Sequence, residues 1–322
     1  MIVKLKPTLT ISDAQAMAIV ERVAAGRSVA RISEIQGGEI SAIFQIDLAG
    51  GAPSLVLKVY PDALHWKMRK ELMVSQMMAG RLSVPTPRIV LSDDTKSLLD
   101  LNFVVMGRLD GVSLSEYERT ATLGHTEVSS VYAQMGKVLR EIHAIPMAAF
   151  GYIGADGVVT PHAGNRAYMS FQFHSKLAEF VERGGSAALA DRLRTLVDQR
   201  AFLLDGCAAP SLCHYDFHAG NILVEEREGS PRLSGILDLE NAIAGDPLMD
   251  IAKTISYSVR GDETKRAGLL AGYGPIDRPA WQDAVALYEF YGALELCCWW
   301  MQIGDHERAA GIAPVLERYA GG

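Results

Sequence analysis

Three oxygen-bearing side chains stand close together in one stretch of the chain. Residues 211–240 read SLCHYDFHAGNILVEEREGSPRLSGILDLE. Asp216 follows His214 and Tyr215, and Asn221 comes one short loop later. A hairpin is expected next, with Asp238 near the end of its second strand. An Asp, an Asn and a second Asp, presented from a loop and a strand end, form a set of hard oxygen ligands beside a free carboxylate. Mg²⁺ prefers oxygen ligands, takes few of them from protein, and completes its octahedron with phosphates and water. Phosphoryl transfer asks for little more: ions on the phosphates, and one carboxylate to orient and deprotonate the attacking hydroxyl.

At these residues the chain resembles the kinase catalytic loop, H-x-D-x-x-x-x-N, followed by a metal-binding Asp. The wider pattern resembles the aminoglycoside phosphotransferase and choline kinase group of small-molecule kinases. That group reads H-x-D-x-H-x-x-N, then I-D-(aromatic or aliphatic)-E, then G-D-P-x-x-D. Here the matching residues are His214, Asp216, His218 and Asn221, then Asp238 and Glu240, then Gly245, Asp246, Pro247 and Asp250. A lone H-x-D would say little; the compound pattern is specific. A protein kinase is disfavoured, because Asp238-Leu239-Glu240 replaces D-F-G and no A-P-E follows. Asn221 and Asp238 are further apart than in many relatives, with EREGSPR in the hairpin turn. A turn absorbs extra residues at small entropic cost.

The bulk numbers bound the rest. The chain has 322 residues, 49% hydrophobic and 21% charged, with a net charge of −7. That describes a globular protein of one large or two small domains, long enough to bury a substantial core. No Lys/Arg cluster marks a nucleic-acid partner. Ala284–Ile303 is long and apolar, but Glu289 and Glu295 within it would be costly in lipid, so a buried core helix is expected and no membrane partner. Cys207, Cys213, Cys297 and Cys298 lack metal-ligand spacing and read as structural thiols of a reducing cytoplasm.

These residues need a frame. Ser12 and Gln15 form a capping box for a helix ending near Gly26. Strands are expected over 28–36, 39–49 and 53–60. Gly37 and Gly38 between the first two allow either an ordinary hairpin turn or close approach of backbone N–H groups to a phosphate. Alternation puts Lys58 on the face of Val56 and Tyr60, away from Leu57 and Val59. A lysine in such a strand ordinarily marks an exposed or edge position. A helix over 62–80 contains Glu71; Lys67, Arg69 and Lys70 read as its charged solvent face. A hairpin is expected about 93–96 and a loop over 147–165. Apolar residues from Val128 to Ile142 recur at helical spacing, which makes His143 at the end of that helix structural. Helices are expected over 166–183, 186–205 and most of the chain after Asp250, with Trp299-Trp300 in the core.

The resemblance implies an α+β, protein-kinase-like bilobal fold. A nucleotide-binding lobe with an antiparallel sheet would cover 1–107, and a mainly helical lobe with the catalytic loop and acceptor site 108–322. It implies ATP and Mg²⁺ as cofactors. Asp216 would be the catalytic base, and Asn221 and Asp238 the metal ligands. Lys58 would grip the phosphates with Glu71 as its ion-pair partner, and Gly37, Gly38 and Ser41 match a phosphate loop reading G-G-x-x-(S/N). Met106 would border the adenine, with Gly107 C=O and Leu109 N–H on its edge. His218 would lie near the γ-phosphate, His214 and Asp250 would support the loop, and Glu240 would be a further metal or acceptor contact. The acceptor would be a hydroxyl-bearing small molecule, such as an aminoglycoside-like antibiotic or amino sugar. Glu289, Glu295, Asp305 and Glu307 are candidates to meet a cationic one. A monomer or weak homodimer is expected. The competing reading is a kinase-fold regulatory protein that binds nucleotide without turnover.

Overall fold

The computed structural model describes residues 6–35 and 40–321. Gly37 and Gly38, singled out above, lie outside the described residues. Helix α1 (Asp13–Val23) starts on the expected capping box: Ser12 Oγ accepts from Gln15 N at 3.2 Å, and Gln15 Oε1 accepts from Ser12 N at 3.0 Å. It lies on one face of an antiparallel five-stranded sheet of order β1-β2-β3-β5-β4. The strands are β1 (Val29–Ile35), β2 (Ala42–Leu48), β3 (Leu55–Tyr60), β4 (Ile89–Asp93) and β5 (Asn102–Gly107).

Alternation sorts the residues of this sheet. Phe44, Ile46, Leu57, Val59, Phe103 and Val105 pack under α1 with Ile19 and Val20. On the other face Tyr60, Val104 and Met106 meet Met68 of helix α2 (His65–Met78). Lys58 shares that face with Val56 and Tyr60, as expected. It is neither exposed nor at an edge, because β3 is the central strand and Lys58 pairs with Ile43 on one side and Val104 on the other.

One stripe of α2 turns inward: Lys67, Lys70, Glu71, Val74 and Met78 are all buried. The last two join the largest apolar cluster of the protein. Lys67 and Lys70 were expected on a solvent face and are not there. Of the three charged residues only Arg69 is exposed, and it pairs with Asp94.

After β6 (Val112–Ser113) and α3 (Leu114–Thr120) comes α4 (His125–His143), the axis of the second core. Against it runs α8 (Glu263–Tyr273) in backbone contact. A Cβ on Gly136 would come within 2.0 Å of Leu269 O, and one on Gly272 within 1.8 Å of Ala133 O. Between these helices in sequence lie α5 (Asn165–Glu182), α6 (Ala187–Arg200), β9 (Ser211–Cys213), the hairpin β10 (Ile222–Arg227) and β11 (Ser230–Ile236), β12 (Ile243–Gly245) and α7 (Leu248–Thr254). The stretch 147–165 is not wholly loop. It holds β7 (Gly151–Gly154) and β8 (Gly157–Val158), and β7 pairs with β12 through Ile243 and Tyr152.

Helix α9 (Trp281–Ile303) buries Leu287, Tyr288, Phe290, Tyr291 and Leu294 as a core helix should, and α10 (His306–Gly321) covers it. Trp299 and Trp300 are only half-buried, a departure from the expected core position. No helix of the described residues is long and apolar enough to cross a membrane. All four cysteines are free thiols.

Candidate active site

The loop after β9 carries Asp216, His218 and Asn221, and one helical segment shapes it. Asp250, in the first turn of α7, accepts the N–H of His214 on Oδ2 at 2.7 Å and that of Tyr215 on Oδ1 at 2.6 Å. Lys253 Nζ donates to Tyr215 O at 2.9 Å, and Thr254 Oγ1 to Phe217 O at 2.8 Å. A π-helical turn at Ile255–Val259 then brings Ser258 Oγ to the N–H of Ala219 at 2.8 Å. The grip is strong enough to hold Tyr215 at φ 61°, a region costly for a bulky side chain.

Asp250 is fully buried and takes a further bond from His143 Nε2 at 3.1 Å, while His143 Nδ1 meets Tyr273 OH at 3.0 Å. Burial pushes the Asp250 carboxyl up, but the bonds from His143 and the loop amides hold it below its ordinary value. His143 is thus structural and Asp250 braces the loop, as the sequence suggested. His214 is also a brace: its Nε2 donates to Leu237 O at 3.0 Å and its Nδ1 accepts from Asp216 N at 3.2 Å.

Asp216 emerges from this frame half-buried. Asn221 Nδ2 donates to its backbone O at 3.0 Å and to its Oδ2 at 3.3 Å. His218 Nε2 lies 3.5 Å from Asp216 Oδ1, and burial lowers the His218 pKa in spite of that carboxylate. Asp238 follows β11 at φ 62° and meets Lys58 Nζ at 3.1 Å.

Lys58 is the hub of a chain of charges. Its Nζ lies 3.1 Å from Glu71 Oε2 and 2.8 Å from Glu240 Oε2. Burial alone would lower its pKa, but Asp238, Glu71 and Glu240 raise it well above the ordinary value. Burial raises the Glu71 carboxyl in spite of Lys58, and Tyr60 OH donates to it. Glu240 Oε1 takes Lys67 Nζ at 3.0 Å, Lys67 reaches Asn241 Oδ1 at 2.9 Å, and Asn241 Nδ2 donates to Asp216 Oδ2 at 3.2 Å. Glu240, expected as a metal or acceptor contact, is therefore hydrogen-bonded through Oε1 to Lys67 of α2 and ion-paired through Oε2 with Lys58 of β3.

These groups line one cavity of about 1300 Å³. Ser41, Lys58, Glu71, Met106, Gly107 and Leu109 line one side; Asp216, His218, Asn221 and Asp238 are brought to the same space from the loop and β11. Of the four acidic residues proposed for the acceptor, Glu295 lines the cavity, and Glu289, Asp305 and Glu307 do not. Glu118 and Glu179 do so in their place.

A family model described as "Phosphotransferase enzyme family" matches residues 31–284. The chain belongs to this phosphotransferase family. A hydroxyurea phosphotransferase of Kitasatospora aureofaciens is 32% identical over 151 residues, 45% of this chain. The match spans only 42% of that relative's length. The GDP complex of wild-type aminoglycoside 2'-phosphotransferase-IIIa superposes with a TM-score of 0.70 at 15% identity, covering 96% of this chain and 99% of that one. A macrolide 2'-phosphotransferase type I gives 0.67 at 17%, covering 96% and 98%. Both share the fold, so the expected kinase-like α+β architecture and the resemblance to this family are borne out.

Within the phosphotransferase frame, sequence reasoning overlooked Lys67, Lys70, Asn241, Lys253, Thr254 and Ser258. One signal was available for the two lysines: each falls on the helical stripe of Glu71, Val74 and Met78. Lys70 Nζ donates to Ala242 O at 2.9 Å, and burial, aided by Lys67, lowers its pKa to about 7. Asn241 follows Glu240 directly and had no pattern of its own.

Proposed function

We propose that this protein transfers the γ-phosphoryl group of ATP to a hydroxyl of a small molecule. The observation that carries the reading is the convergence of Asp216, Asn221, Asp238 and the Lys58–Glu71 pair on one cavity. The donor set fits Mg²⁺. Asn221 spends its amide N–H on Asp216, which leaves its carbonyl oxygen for a metal, and the Asp238 carboxylate is partly exposed to the cavity. Bound Mg²⁺ would neutralise charge on the phosphates. Ser41 supports a phosphate nearby: its hydroxyl is buried, lines the cavity and has no hydrogen-bond partner among the described residues.

The chain's own groups do the rest. Asp216 accepts the proton of the acceptor hydroxyl as the new O–P bond forms and the bond to the ADP oxygen breaks. Asn221 and Asn241 aim its carboxylate. Lys58 stays charged and faces the phosphates, with Glu71 fixing its position. His218 sits beside the base, with Nε2 3.5 Å from Asp216 Oδ1. Met106, Gly107 and Leu109 would border the adenine. The same reading divides the chain into a nucleotide-gripping part over 1–107 and an acceptor-bearing part over 108–322.

The test is ATP consumption with Mg²⁺ across sugars, amino alcohols, macrolides and hydroxyurea, run beside Asp216→Asn. Turnover with one acceptor, reduced roughly 10²–10⁴-fold in the mutant, supports the reading. MgATP binding with no acceptor phosphorylated would favour nucleotide binding without turnover, and failure to bind MgATP would sink the site.

A further inference from the structure

The cavity is lined by seven carboxylates among the described residues, and six are already committed to a lysine or arginine. Glu71, Asp238 and Glu240 hold Lys58. Glu118 takes Lys265 at 2.7 Å and the hydroxyl of Tyr132 at 3.1 Å. Glu179 is clamped between Lys176 at 2.6 Å and Arg183 at 2.7 Å. Glu295 accepts from Tyr215 OH and lies 3.6 Å from Lys253. Asp216 is the remaining one, and it is the proposed base. A ligand with several ammonium groups would have to compete with these lysines and with Arg183 for every carboxylate that could anchor it, the proposed base aside.

The same cavity gathers aromatic surface. Three of the chain's four tryptophans, Trp66, Trp299 and Trp300, line it, together with Tyr152. Trp66 is 50% exposed and Tyr152 38%. Lys70 Nζ sits between those two rings, 5.5 Å from one centroid and 6.0 Å from the other. Burial lowers its pKa to about 7 and its Nζ donates to Ala242 O, while Lys67 Nζ lies 5.8 Å from the Trp66 centroid and Arg308 4.6 Å from that of Trp300, so cations already occupy positions beside these rings. Rings held partly exposed in a concave site offer large, rigid contact area to a ligand with a flat apolar face.

From these two observations we infer that the acceptor is an uncharged, hydroxyl-bearing molecule with an aromatic or similarly flat apolar face, and not a polycation. The inference rests on the phosphotransferase reading and narrows its substrate class. The ring wall would hold the apolar face and leave one hydroxyl for Asp216.

The intact protein reports on this through its own tryptophan fluorescence. MgADP binding is measured first, by calorimetry. Three probes are then titrated in its presence: phenyl β-D-glucoside, glucose and kanamycin. The expected result is that phenyl β-D-glucoside saturates the fluorescence change at roughly 10-fold lower concentration than either of the others. Trp299→Leu and, separately, the more exposed Trp66→Leu should each reduce that preference about 3- to 10-fold. Tighter or equal binding of kanamycin overturns the inference and leaves the kinase reading standing. So does a phenyl glucoside that binds no better than glucose. If MgADP itself does not bind, the kinase reading fails and the inference goes with it.

Discussion

Asn241 shows how a single side chain ties the proposed base to a distant part of the fold. It bonds Asp216 with its amide nitrogen and Lys67 with its oxygen, so rotation of Asp216 works against a contact anchored on α2. A hydrogen bond to a charged group contributes about 1.5–3 kcal/mol. Asn241→Leu should therefore lower kcat about 10- to 100-fold while KM for MgATP stays put, as steady-state kinetics would show. Lys70 gives a stability prediction. Its amine titrates near 7 when folded and near 10.4 when unfolded, so between those values the unfolded chain holds more protons. Stability attributable to Lys70 thus rises with pH from about 7 to 10. Comparing urea unfolding of wild type and Lys70→Met, the slope difference should approach one proton, about 1.4 kcal/mol per pH unit. Parallel slopes would mean the amine is not buried uncharged.

At the scale of elements, the seam between α4 and α8 is the least forgiving contact. Gly136 and Gly272 each face a carbonyl of the opposite helix that a side chain would strike. Gly272→Val should destabilise the fold by at least about 1–3 kcal/mol, seen as a lower urea midpoint with an unchanged m-value. Helix α4 was legible because its apolar period is regular. The seam was not, since glycine inside a helical pattern announces neither its reason nor its partner. The β7–β8 hairpin was missed for a related reason: short, Gly-rich strands carry no alternation, and the pairing of β7 to β12 is long-range. Lys67 and Lys70 were misplaced because burial of α2 depends on what packs over it. Asp216, Asn221 and Asp238 were legible because spacing in a loop and hairpin is local. The lysine partner of Asp238 was not, since Lys58 lies 180 residues away in the chain.

Across the whole molecule, two larger apolar clusters lie on either side of the cavity, one under α1 and one around α4 and α9. Helix α2 contributes Met68 to a small third cluster under the sheet, and Val74 and Met78 to the larger one. The proposed division at residue 107 in sequence is thus bridged in packing. Lys58–Asp238 and Lys67–Glu240 bridge it in charge. A nucleotide that binds only the folded form should stabilise it by about 2.7 kcal/mol at a hundredfold excess over Kd. Saturating MgADP should therefore raise Tm by several degrees, and Lys58→Met should abolish most of that rise in a thermal melt.

The segment from Asp250 to Ser258 has a consequence for how such a protein can change. Four of its side chains hold the loop that carries Asp216, and each does so through a main-chain N–H or C=O. Lys253 Nζ also sits 3.7 Å from the Tyr215 ring centroid; the other three read the backbone and not the side chains that the loop displays. Much of the loop's shape is thus set from outside it, His214 being the brace that lies within. Substitutions at positions such as 216 and 218 can alter the chemistry without rewriting the path of the chain, while a change at 250 or 254 disturbs every residue the loop presents.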